Sequence, residues 1–163
     1  MKDLAIKTFP NPILRKRAAK VLKVTSQERD ILNEMAKVMY LAQGVGLAAS
    51  QVGIDKQLAV IDIGNGLIKL INPVIARKEG SELLEEGCLS VPGISVKVRR
   101  ARAVTVNFLD DSGSVTRLCA DGLLARALQH EIDHLSGVLI IDYLNPVKKL
   151  LIKHKIGKKT KKK

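Results

Sequence analysis

Five short segments rich in valine, isoleucine and leucine constrain the fold more than any other feature of this chain. They are QLAVIDI (57–63), LIKLINPVI (67–75), ISVKV (94–98), AVTVNFL (103–109) and SVTRLCA (114–120). Runs of this length and composition, separated by Gly, Asp, Ser or Pro, are typical of β-strands. The DDSG at 110–113 has the composition of a hairpin turn. This part of the chain therefore predicts a mostly antiparallel sheet.

A helix is predicted before these segments. Thr25 and Glu28 have the spacing of a capping box, which indicates a helix that begins after Thr25 and ends at Gly44. Apolar residues at helical spacing predict its core-facing stripe; they are Ile31, Met35, Val38 and Ala42.

A second helix is predicted after the strands, with Asp121 as N-cap and Gly137 as its end. Two neighbouring stripes run along it. One is Leu124, Leu128 and Leu135; the other is Leu123, Ala127, His130 and His134. A last amphipathic helix is predicted from about Pro146. The expected class is α+β, with antiparallel β-strands packed around a central helix that carries the histidines, an N-terminal helix and a C-terminal helix.

The composition favours one domain with an aliphatic core. The chain has 163 residues, of which 46% are hydrophobic and only 2% aromatic. It has no run of about 18 apolar residues, and the start, MKDLAIKTFPNP, lacks the pattern of a signal peptide. We therefore expect a cytoplasmic protein with no membrane partner.

The net charge of +12 is concentrated at the C-terminus. Residues 147–163 contain nine lysines and no acid, which leaves +3 for the rest of the chain. We therefore divide the chain into a domain of residues 1–146 and a C-terminal amphipathic helix with a lysine-rich tail, residues 147–163. Four apolar residues are expected to hold that helix against the domain; they are Val147, Leu150, Leu151 and Ile156. The cations favour docking on the phosphates of RNA without sequence specificity, and the alternative is a disordered, solubilising end.

The stretch QHEIDH places His130 and His134 four residues apart, so on a helix both imidazoles can reach one ion. Glu131 lies about 100° round the helix from His130, near enough to contact a water on that ion, as in H-E-x-x-H sites. The same spacing is compatible with a solvated helix face. The neighbouring Leu123 and Ala127 favour a face turned inward, where two imidazoles without partners would be costly. A metal site is the better interpretation.

A catalytic ion of this kind usually takes three protein ligands. No Glu follows Glu131, which excludes a thermolysin-like third ligand, and Ile140 stands where a metzincin has a histidine. Cys88 in EEGCLSVPG is the candidate, because its acidic and glycine neighbours are unusual in a core and a thiolate suits a site with two neutral imidazoles. The alternative for either cysteine is a buried small hydrophobe, the role expected of Cys119 inside an apolar strand.

Three segments resemble the signature segments of peptide deformylases, in the same order: GVGLAASQ (44–51), EGCLS (86–90) and QHEIDH (129–134). The resemblance extends over nearly the whole chain, from FPNPILRKRA through INP to ADGLLARALQHEIDHLSGVLIIDYL. It implies a catalytic domain that removes the formyl group from the formyl-methionine of nascent polypeptides and releases formate. The implied partners are these peptides and the ribosome, the latter through the lysine-rich tail. No sequence-specific nucleic acid is expected.

The resemblance also implies roles for individual residues. The metal ligands fall on Cys88, His130 and His134, the general base on Glu131, and the oxyanion donors on the Gln51 side-chain amide and the Leu89 backbone amide. Substrate contacts are expected from Gly44, Val45, Gly46, Glu86, Gly87, Leu123, Arg126 and Ala127. Gly44 and Gly46 would leave backbone exposed on which an extended peptide pairs as an added strand. The implied cofactor is one divalent ion, usually Fe(II), with zinc, nickel or cobalt as substitutes.

Arg126 departs from the mainly apolar wall that the resemblance implies for the methionine pocket. It would extend to the rim of the pocket or narrow it, and so affect substrate preference. Asp133, Arg99 and Arg100 are further candidates, since one arginine would pair with Asp133 or Glu86 and brace the site. The alternative for each is a solvated surface charge.

Two other functions stay open at this point. A metal-dependent peptidase would share the H-E-x-x-H pattern, but Cys88 as third ligand and the lack of a downstream Glu count against it. A ribosome- or RNA-associated binding protein with a vestigial metal site would explain the lysine-rich tail. The intact set of Gln51, Cys88 and Glu131 counts against such a loss of chemistry.

Overall fold

The computed structural model describes residues 4–152. Its two longer helices are α1 (Ser26–Leu41) and α2 (Gly122–Leu135). Its strands are β1 (Gly46–Ala48), β2 (Leu58–Ile61), β3 (Ile68–Glu79), β4 (Glu82–Glu86), β5 (Val96–Arg100), β6 (Ala103–Leu109) and β7 (Val115–Asp121). Residues 146–152 are also helical. The predicted α+β class is confirmed.

Antiparallel pairing builds two sheets. Five strands form one sheet in the order β1-β2-β3-β6-β7, while β4 and β5 form a separate pair. The predicted turn at 110–113 joins β6 to β7, with Leu109 opposite Val115. Asp110 closes this turn by accepting hydrogen bonds from the backbone amides of Ser112 and Ser114.

Strand β2 has a core on each side, because its side chains alternate between the two faces of the sheet. Leu58 and Val60 pack in the cluster that contains the buried residues of α1. Ala59 and Ile61 pack in the cluster that contains the buried residues of α2. The large sheet therefore lies between α1 and α2, and this packing fixes the helix that carries the two histidines. The buried apolar residues that α2 contributes are Ala125, Ala127, Leu128 and Leu135.

A third apolar cluster joins the β4–β5 pair to the chain that follows α2. Its buried members are Leu14, Val91, Val96, Val98, Leu139, Ile140 and Ile141. The small sheet and α2 are thereby held side by side.

Helix α1 begins as predicted and ends early. Thr25 and Glu28 form the reciprocal capping box, but the last helical residue is Leu41. Gln43 adopts a positive φ of 54°, the left-handed conformation usually supplied by glycine. The chain therefore leaves the helix before it reaches Gly44.

Strands β1 and β4 were not predicted. Strand β1 has only three residues and lies inside the glycine-rich GVGLAASQ. Strand β4 reads ELLEE, and four of its five residues are exposed, so it lacks the alternation by which a half-buried strand is recognised. The strand predicted at 94–98 is β5, displaced by two residues.

The prediction that Cys119 is buried is wrong. Cys119 is exposed, because β7 is the last strand of the sheet and the side chains of Val115, Arg117 and Cys119 lie on its solvent side.

The prediction that apolar residues hold the C-terminal helix is wrong for three of the four named. Val147, Leu150 and Leu151 are between 64% and 69% exposed. The contact is made by Ile152, which packs against the third cluster. Ile156 and the lysine-rich end lie outside the described residues. None of the helices within 4–152 is long and apolar enough to cross a membrane.

Candidate metal centre and substrate cavity

Three potential ligand atoms converge between α2 and the chain that follows β4. His134 Nε2 lies 3.2 Å from Cys88 Sγ and 3.2 Å from His130 Nε2. All three atoms lie within 4.8 Å of one another. Ligands of a tetrahedral ion with bonds of about 2.0–2.3 Å are roughly 3.3–3.5 Å apart. The three atoms therefore have the spacing of ligands of one cation, and this is the one such cluster in the described part of the chain.

Two buried polar atoms beside these donors lack a hydrogen-bond partner among residues 4–152. They are Glu131 Oε2 and His134 Nδ1. An unsatisfied buried group costs about 1–3 kcal/mol, so a fold rarely keeps one without a use. A carboxylate oxygen that is free to accept a proton, next to three atoms that could bind a cation, fits a hydrolytic metal centre.

The surroundings shift the protonation of all three groups on α2. Burial raises the pKa of Glu131 to about 7. Burial and the neighbouring His130 hold the pKa of His134 well below its ordinary value. Burial lowers the pKa of His130, but hydrogen bonds with Cys88 and Glu86 outweigh it and raise that pKa to about 10. A cation at His130 Nε2 therefore replaces a proton.

Glu86 fixes the orientation of His130. A carboxylate can only accept, so His130 Nδ1–H donates to Glu86 Oε2 at 3.0 Å, which leaves Nε2 directed at the other donors. Arg100 donates its Nε and Nη2 to the Glu86 oxygens at 2.7 and 3.0 Å, and its Nη1 to Asp133 at 2.8 Å. The predicted brace is confirmed for Arg100, whereas Arg99 is exposed.

The Gln51 side chain is held in one orientation at the site. Its Oε1 accepts the Ala48 backbone amide at 2.8 Å. Its amide nitrogen therefore faces the donors, 3.8 Å from Cys88 Sγ and 3.3 Å from Ser90 Oγ. Ser90 is fully buried, and the sequence did not single it out, because a serine in a loop has no distinctive pattern.

Gly46 packs directly against Glu131. A Cβ atom at Gly46 would lie 2.4 Å from Glu131 Oε1, closer than any side chain permits. Gly46 is also buried. The missing side chain provides the space for the Glu131 carboxylate.

A cavity of about 540 Å³ opens beside the donors. All eight residues predicted to contact substrate line it; they are Gly44, Val45, Gly46, Glu86, Gly87, Leu123, Arg126 and Ala127. The lining also includes Gln51, Cys88, Leu89, His130 and Glu131. Gln43 and Glu85 line it as well, and only their position next to the signature segments could have indicated them.

Two residues of α2 differ from expectation. Leu123 was placed on an inward stripe but is 55% exposed, because it stands at the start of the helix on the cavity wall. Arg126 was expected to reach the rim or narrow the pocket. It does not reach the rim, because it is only 8% exposed and its Nη1 donates to Glu86 Oε1 at 2.6 Å.

Comparison with known proteins places this arrangement in a family. The family model described as Polypeptide deformylase matches residues 4–150. The chain belongs to the polypeptide deformylase family. The peptide deformylase of Caldanaerobacter subterraneus subsp. tengcongensis is 51% identical over 137 residues, which cover 84% of this chain and 86% of that one. The peptide deformylase of Thermodesulfovibrio yellowstonii is 45% identical over 167 residues, covering 99% of this chain and 100% of that one.

Solved structures of deformylases agree with the fold. The crystal structure of a peptide deformylase from Legionella pneumophila has a TM-score of 0.91 and 42% identity, with 97% of this chain and 95% of that chain covered. The peptide deformylase of Ehrlichia chaffeensis in complex with actinonin has a TM-score of 0.92 and 37% identity, with 98% of each chain covered.

As a deformylase, this chain is a hydrolase that removes the N-formyl group from nascent polypeptides. The family is metal-dependent, and the chain has a cluster of Cys88, His130 and His134 that fits a cation. Family membership favours this enzyme over the peptidase and over the binding protein with a vestigial site.

Proposed function

We propose that this deformylase works with Fe(II) held by Cys88, His130 and His134, and that zinc, nickel or cobalt can replace the iron. The 3.2 Å spacing of the donors supports the ligand set. A thiolate and two neutral imidazoles leave a divalent ion with a net charge of +1, which suits a Lewis acid. When bound, the cation polarises the formyl carbonyl and activates the attacking water.

Glu131 carries the proton in this proposal. Water adds to the formyl carbon, the C–N bond breaks, and the products are formate and the free amine of methionine. Glu131 takes a proton from the water and delivers it to the departing nitrogen. Its unpartnered Oε2 and its pKa of about 7 support this role.

Gln51 and Leu89 stabilise the developing oxygen charge. The Gln51 amide nitrogen is directed at the site because its Oε1 is held by Ala48, and the backbone amide of Leu89 is the second donor. Neutral donors fixed in advance suit a tetrahedral oxyanion, and one such donor is typically worth about 3 kcal/mol.

The substrate lies along β1 in this proposal. Strand β1 is the first strand of the sheet order, so the segment from Gly44 to Gly46 can pair with an extended peptide as an added strand. The methionine side chain enters the cavity beside Leu123, Ala127 and Gly87, which line it.

Formate release and metal content, measured together, test whether Glu131 transfers protons while the cysteine and histidines bind the cation. Glu131→Gln is expected to keep the cation and lose at least a hundredfold in kcat with a formyl-Met peptide, because only the proton carrier is removed. Cys88→Ala and His134→Ala are expected to lose the cation. A Glu131→Gln protein that contains no metal would contradict this assignment.

The identity of the ion has its own test, which is oxygen sensitivity. Equal lifetimes of the iron form in air and under nitrogen would contradict iron as the working ion.

The lysine-rich tail is proposed to dock the enzyme on ribosomal RNA in the cytoplasm. In this proposal residues 1–146 are the catalytic domain and residues 147–163 are the docking segment. Deletion of residues 157–163 should lower ribosome affinity and leave turnover of a short formyl peptide unchanged. Replacing only the lysines in 157–163 by glutamine is the matched control, and it should weaken binding equally. Ribosome binding that is independent of salt or of these changes would contradict the proposal.

A further inference from the structure

Arg126 links α2 to the small sheet. Its Nη1 donates to Glu86 Oε1 at 2.6 Å and to the Val98 carbonyl at 3.2 Å, and its Nη2 donates to the Glu82 carbonyl at 3.3 Å. All three acceptors belong to the β4–β5 pair, whereas Arg126 lies one helical turn before His130. The charged end of Arg126 is therefore committed to the protein, and only the remainder of its side chain is available to line the cavity.

Glu86 accepts four hydrogen bonds. Its Oε1 receives Arg126 at 2.6 Å and Arg100 Nε at 2.7 Å; its Oε2 receives Arg100 Nη2 and His130 Nδ1, each at 3.0 Å. A carboxylate offers about four acceptor sites, so this one is saturated. It cannot rotate without breaking a bond to a charged donor, and its orientation is transmitted to His130.

When His130 is neutral as a cation ligand, the charges in this cluster balance only if Arg126 is counted. Two guanidinium groups, Arg100 and Arg126, face two carboxylates, Glu86 and Asp133. The side chains of Glu86, Arg100 and Arg126 are each less than 10% exposed. Without Arg126, one cation would serve two carboxylates, and a buried charge without full compensation is strongly destabilising.

We propose that Arg126 is a positioning residue for the cation ligand His130 and acts through Glu86. This inference rests on the proposed cation site. Arg126 holds one Glu86 oxygen so that the other meets the Nδ1–H of His130 in a fixed direction. The partners of a ligating histidine typically account for about 10- to 100-fold in metal affinity, and Arg126 contributes to that effect from one residue further away.

Cobalt binding to the whole protein tests this inference without reference to activity. Arg126→Met keeps a long apolar side chain and removes every donor. We expect its Kd for Co(II), measured by chelator competition, to rise about tenfold, and the visible absorption bands of the Co(II) protein to shift. Arg77→Met is the matched control, because Arg77 pairs with Glu79 on the exposed part of β3, and it should bind cobalt as the wild type does.

A double-mutant cycle with Glu86→Gln decides whether the effect passes through Glu86. The inference predicts that Arg126→Met adds nothing to the Kd increase caused by Glu86→Gln. If Arg126→Met does not fold, Arg126→Lys replaces it in the cycle, because lysine keeps the charge and loses the planar fork. Additive effects, or an unchanged Kd and spectrum with an altered KM, would overturn the inference. Wild-type protein that binds no cobalt, or His130→Ala that binds it equally well, would instead refute the proposed cation site.

Discussion

Gly46 shows how a single residue without a side chain can determine where a catalytic group lies. The backbone at Gly46 occupies the position next to the Glu131 carboxylate, where a Cβ atom would be 2.4 Å from Oε1. We expect Gly46→Ala to displace Glu131 and lower kcat at least tenfold, because proton transfer depends on hydrogen-bond geometry. The bound metal should remain, since no ligand is displaced.

Gly44→Ala is the matched control for this substitution. A Cβ atom at Gly44 would come too close only to Leu89 Cδ1, at 2.9 Å, and this methyl group is the end of a flexible side chain. Its kcat should therefore fall less than that of Gly46→Ala. If kcat fell equally in both variants, the loss would come from any substitution in this glycine-rich segment and not from the space beside Glu131.

The sequence predicted the chemistry of individual residues better than their packing. Cys88, His130 and His134 were selected by residue type and spacing, and their donor atoms do meet. The close approach of Gly46 to Glu131 could not be inferred, because it joins β1 to a helix that lies 76 residues further along the chain. The buried position of Arg126 depends in the same way on partners in β4 and β5.

At the scale of an element, the start of α1 stabilises the fold in a way that depends on pH. Hydrogen bonds from Lys56 and Thr25 lower the pKa of Glu28 from 4.5 to about 2. This carboxylate therefore contributes its full stability above about pH 4.5, and the contribution is lost as the pH falls through about 2. Glu28→Gln should lower the free energy of unfolding by about 2 kcal/mol at pH 7, and the difference from wild type should shrink towards pH 2.

Urea unfolding of both proteins between pH 7 and pH 2.5 measures this difference. Other groups that titrate in this range, including those at the metal centre, cancel because both proteins contain them. Glu34→Gln is the control on the same helix, because its pair with Lys37 is exposed and such pairs contribute little. A difference between Glu28→Gln and wild type that stays constant with pH would contradict the prediction.

Local sequence signals identified the elements whose conformation depends only on their own residues. The Thr25 cap and the turn at 110–113 are of this kind, and both form as predicted. Strand β4 forms because it pairs with β5, which a run of acidic residues does not indicate. The order of the strands was likewise not predictable, because β6 pairs with β3 across the excursion that contains β4 and β5.

At the scale of the whole molecule, the donor cluster joins two parts of the fold. Cys88 lies between the two strands of the small sheet, β4 and β5, whereas His130 and His134 belong to the helix packed on the large sheet. A cation held by all three would connect these parts. Removing it with a chelator should lower the Tm, because a ligand at 100 times its Kd stabilises the folded state by about 2.7 kcal/mol.

Hydrogen exchange locates that loss of stability. Amide protection should fall first in β4 and β5 and least in β2, which has a core on both sides. Cys88→Ala is the control, and chelator should change neither its Tm nor its exchange pattern. A uniform loss of protection over both sheets would show that the cation does not specifically connect the small sheet to α2.

The opposite positions of the two cysteines have a practical consequence. Cys119 is exposed on the last strand of the large sheet, while Cys88 is partly buried among the proposed ligands. A thiol reagent should therefore modify Cys119 at once in any sample and reach Cys88 only when no ion protects it. The number of fast-reacting thiols per chain would then report how much of a preparation carries its cofactor, with one for a filled centre and two for an empty one. Conversely, a spectroscopic label attached to the loaded enzyme would be confined to Cys119, on the solvent side of β7.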